Sequence, residues 1–231
     1  AYGQILSKEF LSIPSRATIN IHPSLLPLYR GATPVPATIL DGKKETAITI
    51  LFTVEKLDAG NIIVQKKYPV GAQQTAGELT EFLFSESAAL LPDVLQQLKD
   101  AAFVGKPQDE SLVTVCRKIS KADGAIDWGR KAEEIHNRFR AFEPWPGSFT
   151  FCHGKRLSIL NMQIAATPRA SLNPGDVIFD KVEKALLVGA KNGTLQIALL
   201  KPAGGNAIDA AAFWNGLKSR DVVRFVSDEV Q

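Results

Sequence analysis

Sulfur is scarce in this chain, and no run of apolar residues approaches the length needed to cross a bilayer. Its 231 residues include two cysteines and one methionine. Cys116 and Cys152 lie far apart, in no metal-binding or redox spacing, and read as small buried hydrophobes of a reducing compartment. An α-helical span needs ~20 consecutive apolar residues, and no window comes near that. The N-terminus lacks a basic segment followed by an apolar one, so nothing points to secretion. A Gly-rich phosphate loop, a nucleophile elbow, a zinc-ligand pattern and a paired-carboxylate arrangement are all missing. Asn192-Gly193-Thr194 matches a glycosylation sequon, which carries no weight in a cytosolic protein. Net charge is only +3.

What remains is the composition of an ordinary globular protein, 45% hydrophobic and 22% charged with 13 Pro and 17 Gly. Collagenous, coiled-coil and disordered chains are excluded, and the length suits one large domain or two small ones. Charge is unevenly spread. Residues 1–115 hold 10 Lys+Arg against 12 Asp+Glu, and residues 116–231 hold 17 against 12. A basic C-terminal half suits contact with a polyanion, although a solvated surface gives the same count.

The chain opens without Met on Ala1-Tyr2-Gly3-Gln4. Ala17–His22 reads as a strand, and Ala47–Val54, continuously apolar and β-branched, as a strand covered on both faces. Asn61–Val70 starts as a third strand and turns polar, like an edge. A short helix lies between the first two, opened by Pro34 and Pro36 and closed near Asp41-Gly42. Thr75-Ala76-Gly77-Glu78 is a capping box, followed at helical spacing by Leu79, Phe82, Leu83, Leu90, Val94 and Leu98. Pro92 is expected to kink or split that helix. These elements amount to half of an α/β sheet, which implies an N-terminal segment absent from this chain.

Val104–Ser111 is polar and reads as a linker. A helix is expected over Arg130–Phe142. Short strands follow at Ser148–Cys152, Arg156–Ile164, Asp176–Asp180, Ala185–Val188 and Thr194–Leu200, with Asn192-Gly193 as a hairpin turn. Five short strands and a packed helix suggest a small barrel of the OB type. A last helix, Asp209–Leu217, closes one end.

Chemistry concentrates in Asn20-Ile21-His22-Pro23-Ser24-Leu25-Leu26-Pro27. Strand alternation puts Asn20 and His22 on one side, at a C-terminal strand end where open α/β sheets place ligands. An Asn amide can donate to a developing oxyanion, and a nearby His can move protons at neutral pH. Asp58, in Leu57-Asp58-Ala59-Gly60, follows the next strand, with Gly60 permitting a tight turn. Beside the imidazole it would orient the ring and raise its pKa. On the residues alone, a structural strand end and a simple turn fit as well as an active site. His136 on a charged helix face and His153 in a hairpin turn read as bystanders. Glu133, Glu134, Asp123 and Asp127 read as solvated charges or caps.

The run His22-Pro23-Ser24-Leu25-Leu26-Pro27-Leu28-Tyr29-Arg30-Gly31-Ala32, followed by Asp58-Ala59-Gly60, resembles the 10-formyltetrahydrofolate formyltransferases. The spacing of Asn20, His22 and Asp58 fits that family's Asn/His/Asp centre. Residues Arg117–Trp128, Glu134–Gly147, Lys201–Gly205 and Phe213–Gly216 are similar to stretches of the methionyl-tRNA formyltransferases, so the resemblance covers nearly the whole chain. Glycinamide ribonucleotide formyltransferases lack the extra C-terminal domain. UDP-amino-sugar formyltransferases and formyltetrahydrofolate hydrolase domains share parts of the pattern. A tRNA-binding module with a vestigial site is the non-enzyme alternative. The chain departs from the family in reading Pro34-Val35-Pro36 where a Gln is usual, Asn206 after the Gly pair, and Asn61 where Asp is common.

The resemblance implies a partial doubly wound, Rossmann-like formyltransferase domain over residues 1–102, a linker over 103–117, and an OB-like tRNA-binding domain over 118–231. It implies formyl transfer from 10-formyltetrahydrofolate, as co-substrate and without metal, to the amine of initiator methionyl-tRNA. Ser24, Leu25, Leu26 and Pro27, with Ile5 and Leu6 of the Tyr2–Leu6 loop, would line the folate cleft. Arg117, Lys118, Lys121, Arg130, Arg138 and Arg140 would meet the tRNA backbone. The expected protein is a monomer with no membrane association, cytoplasmic or in an organellar matrix. The absent front would carry the first strands and a loop gripping the tRNA acceptor end.

Overall fold

The computed structural model describes residues 6–100, 102–167, 172–217 and 223–228. The chain divides into two compact units, Ala1–Ile119 and Ser120–Gln231. No helix among the described residues is long and apolar enough to cross a membrane.

The first unit runs α1 (Lys8–Leu11), β1 (Ile19–His22), β2 (Arg30–Gly31), α2 (Pro34–Leu40), β3 (Glu45–Phe52), β4 (Ile62–Pro69), α3 (Ala76–Gln97) and β5 (Val115–Cys116). Its sheet has the order β1-β3-β4. Both pairings are antiparallel, whereas a doubly wound sheet is built on parallel ladders. As the unbroken apolar run requires, β3 is central and buried from Thr46 to Leu51. α3 packs against β3, β4 and α2, driving Leu79, Leu83 and Val94 fully out of solvent. Burial of each is worth about 1.5–3 kcal/mol. The capping box forms: Glu78 N donates to Thr75 Oγ1 at 3.3 Å, and Thr75 N donates to Glu78 Oε2 at 2.8 Å. Pro92 lies inside α3 without dividing it. Phe82, expected on the buried stripe, is exposed on one side and packs its edge on Tyr68 with centroids 5.4 Å apart.

Residues 103–117 are held to this unit at several points. Lys106 and Ile62 exchange both backbone hydrogen bonds, at 2.7 and 2.8 Å. Beyond them β5 pairs in parallel with β2.

The second unit holds α4 (Ala132–Ala141), β6 (Ser148–Cys152), β7 (Lys155–Ile164), β8 (Asp176–Asp180), β9 (Ala185–Ala190), β10 (Gly193–Pro202), β11 (Ile208–Asp209), α5 (Ala210–Asn215) and β12 (Val223–Arg224). The strand order is β12-β8-β9-β10-β7-β6, with β11 on β10. All pairings between these strands are antiparallel, and an isolated parallel bridge joins Ala125 to Phe149 of β6. Just after β12, Val226 exchanges hydrogen bonds with Phe151 of β6 at 2.9 and 3.0 Å. Residues 223–226 therefore touch both ends of the strand path, and the sheet curls back on itself around Trp128, Leu186, Val188, Leu195, Ile197, Leu200, Phe213 and Phe225. The expected Asn192-Gly193 turn is present, and Asn192 Oδ1 accepts from Ala132 N at 3.0 Å, capping α4. Strand β6 inverts the usual sidedness, with Ser148, Thr150 and Cys152 inward and Phe149 and Phe151 half-buried outward. The inward hydroxyl is satisfied: Thr150 Oγ1 accepts from Trp128 Nε1 at 3.0 Å and donates to Val226 O at 2.9 Å.

Candidate active site

β1 is the strand on which the candidate site is hung. His22 at its end is 4% exposed, and the following residues fold tightly beneath it. The Ser24 hydroxyl donates to Leu28 O at 2.7 Å. Thr49 Oγ1 donates to Ser24 O at 2.7 Å, and Gln65 Nε2 to Leu26 O at 3.0 Å. Ser24 and Leu26 are consequently buried, while Leu25 and Pro27 keep part of their surface open to solvent. Leu6 is half-buried, and Ile5 lies outside the described residues.

Asp58 reaches this strand from the loop after β3. Its backbone sits in the left-handed region at φ 48°, a conformation that Asp tolerates better than most residues. Gly60 is needed for a reason other than a turn conformation: a Cβ there would lie 1.8 Å from Phe52 O. From this loop Asp58 joins the three candidate residues. Asn20 Nδ2 donates to Asp58 Oδ1 at 3.2 Å, and Gly31 N donates to Asp58 Oδ2 at 2.9 Å. His22 Nδ1 lies 3.6 Å from the same Oδ2. Gly31, at φ 118°, occupies backbone space reserved for glycine, and its amide anchors the carboxylate in place.

The ring's other nitrogen fixes its tautomer. His22 Nε2 is 2.9 Å from Tyr29 O. A carbonyl only accepts, so the neutral ring carries its proton on Nε2 and turns the Nδ1 lone pair toward Asp58. Asp58 does pull the pKa of the ring upward, as expected, but the net shift is downward. Burial is the largest influence and holds His22 below its ordinary value, outweighing the upward pull of Asp58 and of the Tyr29 carbonyl.

Sequence reasoning passed over several residues that hold this arrangement. Gln108, in the expected linker, donates from Nε2 to both Asp58 O and Gly60 O at 2.8 Å. Its Oε1 accepts from Arg30 Nη2 at 2.7 Å. Arg30 is buried and also reaches Glu110 at 2.8 Å. Hydrogen bonds from Arg30 and then Lys56 push the Glu110 carboxyl down to about 2. Arg30 and Gly31 stand in the quoted motif, but nothing in the sequence joins Gln108 to Asp58 across fifty positions. Cys116, free and buried, points its thiol at Arg30 O at 3.3 Å.

The basic candidates divide. Arg117, Lys118 and Lys121 are exposed. Arg130 is exposed but lies 3.3 Å from Asp127 and 3.9 Å from Glu134. Arg138 donates to Asp123 O at 2.8 Å and lies over the Phe142 ring. Arg140 is 6% exposed and donates to Asn137 Oδ1 at 2.6 Å. The last two side chains are committed inside the second unit. Among the described residues no group of His, Cys, Asp and Glu is placed to hold a metal.

Comparison with known proteins bears on the whole chain. Residues 1–95 match the family described as Formyl transferase, and residues 118–218 match Formyl transferase, C-terminal domain. A methionyl-tRNA formyltransferase of Carboxydothermus hydrogenoformans is 38% identical over 94% of this chain and 70% of its own length. One from Roseiflexus sp. is also 38% identical, over 94% of this chain and 66% of its own. Among solved structures, the N-formyltransferase from Helicobacter canadensis, in complex with folinic acid and dTDP-3-aminofucose, superposes with a TM-score of 0.66 at 21% identity. That match covers 84% of this chain and 70% of the other. The methionyl-tRNA formyltransferase from Clostridium thermocellum gives a TM-score of 0.55 at 21% identity, over 71% of this chain and 70% of its own. The two solved structures speak for the fold alone, and the sequence relatives for the family. With both halves of the chain matched and a relative aligned over most of its length, this chain belongs to the methionyl-tRNA formyltransferase family.

Proposed function

We propose that the chain transfers the formyl group of 10-formyltetrahydrofolate to the amino group of initiator methionyl-tRNA, with Asn20, His22 and Asp58 as its centre. The observation that carries this reading is the convergence of Asn20, His22 and Gly31 on one Asp58 carboxylate, in a chain 38% identical to a methionyl-tRNA formyltransferase. The folate donor supplies an activated formyl group, and this chain's residues position it and manage charge and protons. One amide hydrogen of Asn20 is held by Asp58, which leaves the second to meet the formyl oxygen as negative charge develops there. His22, neutral because burial lowers its pKa, accepts at Nδ1 the proton released as the amine attacks. It passes that proton toward the departing folate nitrogen. At 3.6 Å from Asp58 Oδ2, Nδ1 lies beyond hydrogen-bond range and stays available for this exchange. Asp58 stabilises the imidazolium in between.

Leu25 and Pro27, with their surface partly open, are the side chains suited to the flat face of the pterin ring, with half-buried Leu6 a further candidate; Ser24 and Leu26 shape the loop from behind. Lys118, Lys121 and Arg117 are the basic candidates best placed to reach tRNA phosphates. We take the domain limits as 1–102, 103–117 and 118–231. The curled antiparallel sheet of the second unit supports an OB-like barrel. A doubly wound, Rossmann-like first domain needs parallel ladders in addition to the antiparallel strands described. The protein is proposed to be cytoplasmic and monomeric.

The test offers initiator tRNA charged with methionine and a UDP-amino-sugar separately, each with 10-formyltetrahydrofolate. Formyl-methionyl-tRNA is the expected product. Formylation of the sugar alone would overturn the acceptor assignment.

A further inference from the structure

Three distant stretches of the first unit meet around one amide group. Gln108 is half-buried. Its Oε1 accepts from Arg30 Nη2 at 2.7 Å and from Arg30 Nε at 3.1 Å. Its Nε2 donates to Asp58 O and to Gly60 O, each at 2.8 Å. Chemistry fixes which way the amide faces: a guanidinium only donates and a carbonyl only accepts, so the oxygen must face Arg30 and the nitrogen the loop. A carboxylate of the same length would set an acceptor against two carbonyls, and an apolar side chain would offer them no donor.

Followed around, these bonds close a ring. Arg30 is 3% exposed and its guanidinium is matched by Glu110 at 2.8 Å, so its charge is held within the structure and not offered to a substrate anion. The next residue, Gly31, donates its N–H to Asp58 Oδ2 at 2.9 Å, and the one before, Tyr29, meets His22 Nε2 through its carbonyl at 2.9 Å. Gln108 thus ties the backbone of Asp58 to the same three residues that receive the Asp58 carboxylate and the His22 ring. At φ 48° that backbone lies where residues other than glycine seldom sit. Released from the amide, it would be drawn toward commoner angles, and the carboxylate would swing away from the imidazole.

We propose that Gln108 is a positioning residue for formyl transfer: by bridging Arg30 and the Asp58 loop, it sets where the Asp58 carboxylate stands relative to His22. It acts through Asp58 and takes no chemical step of its own. This deepens the formyl-transfer reading above and rests on it.

The chain holds three histidines, His22, His136 and His153, so NMR of the full chain with ring-labelled histidine follows His22 separately and without substrate. Asp58 pulls the His22 pKa upward. Gln108→Met removes the amide and adds no charge, and should lower the His22 titration midpoint. The same change should have no effect once Asp58→Asn is present. A midpoint that stays or rises in Gln108→Met, or that falls equally with and without Asp58, overturns the proposal. In formylation assays Gln108→Met should lower kcat by about a hundredfold, the scale of a small misplacement of a reacting group, with KM for charged tRNA retained. A raised KM with kcat kept would mark Gln108 as a substrate-binding group and overturn the proposal. If Gln108→Met fails to fold, Gln108→Glu decides by the same comparison. It keeps an acceptor for Arg30 and loses both donors, and a midpoint shift of equal size with and without Asp58 counts against the proposal. A parent that formylates while its His22 midpoint ignores Gln108 overturns this inference alone. A midpoint that follows Gln108 in a parent that does not formylate overturns the formyl-transfer reading and leaves the positioning of Asp58 standing.

Discussion

His22 and His136 show how the same side chain acquires different properties from its surroundings. At His22, burial lowers the pKa while Asp58 and Tyr29 act against it. The acidic limb of kcat/KM for formylation should therefore fall below the ordinary His value, near pH 6.5. The rate rises with pH as the ring becomes a base. Replacing Asp58 by Asn removes an upward influence, so the limb should move lower still while the rate drops roughly a hundred- to ten-thousand-fold. A pH–rate profile of D58N with an unshifted limb would remove Asp58 from the charge balance of the ring. His136 is buried with its Nε2 lacking a hydrogen-bond partner. Burial first, then the Arg140 charge, bring its pKa down to about 4 from 6.5. Below pH 6.5 the unfolded ring takes up a proton and the folded one does not. Stability is therefore lost as pH falls from about 6.5 to about 4, and is level below that. Thermal melts across this range should show the loss, and His136→Gln should flatten it. The pairing of Asn20 with His22 was legible from alternation alone. The net direction of the His22 shift was not, because it depends on how deeply the strand end is buried, which no local pattern reveals.

At the scale of elements, the loop between β3 and β4 is built around a close approach. A Cβ on Gly60 would enter the space of Phe52 O, and backbone cannot yield as a side chain can. Gly60→Ala should destabilise the chain by about 1–3 kcal/mol or more and displace Asp58, lowering formylation beyond what lost stability explains. Chemical denaturation and activity of the folded fraction would separate the two effects. A fully active Gly60→Ala protein would show that the loop tolerates the shift. Helices and strands were mostly legible: the capping box at Thr75, the buried run of β3 and the Asn192-Gly193 turn each formed where sequence placed them. Short pairings such as β2 with β5 were not, because two residues carry no periodicity. Nor was the sidedness of β6, since Ser148 and Thr150 look solvent-facing until Trp128 and Val226 supply their buried partners.

The whole molecule has a built-in spectroscopic division. Trp128, Trp145 and Trp214 all belong to the second unit, while the 22-residue α3 belongs to the first. Each unit has its own apolar interior, so denaturation followed by tryptophan fluorescence and by far-UV circular dichroism should give different midpoints. Coincident curves would mean that the units unfold as one. Sequence placed a polar linker over 103–117 and a change to short strands after Gly147, whereas the chain divides between Ile119 and Ser120. The ties of residues 103–117 were not legible, because a polar stretch with Gly105 and Pro107 has the composition of a free connector. That segment instead carries Gln108, whose amide grips the carbonyls on either side of the candidate carboxylate loop. For anyone grafting the second unit of one relative onto the first unit of another, the seam belongs after Ile119. A cut at the apparent connector would import a foreign clasp and leave a hybrid that folds in both halves yet holds Asp58 out of line.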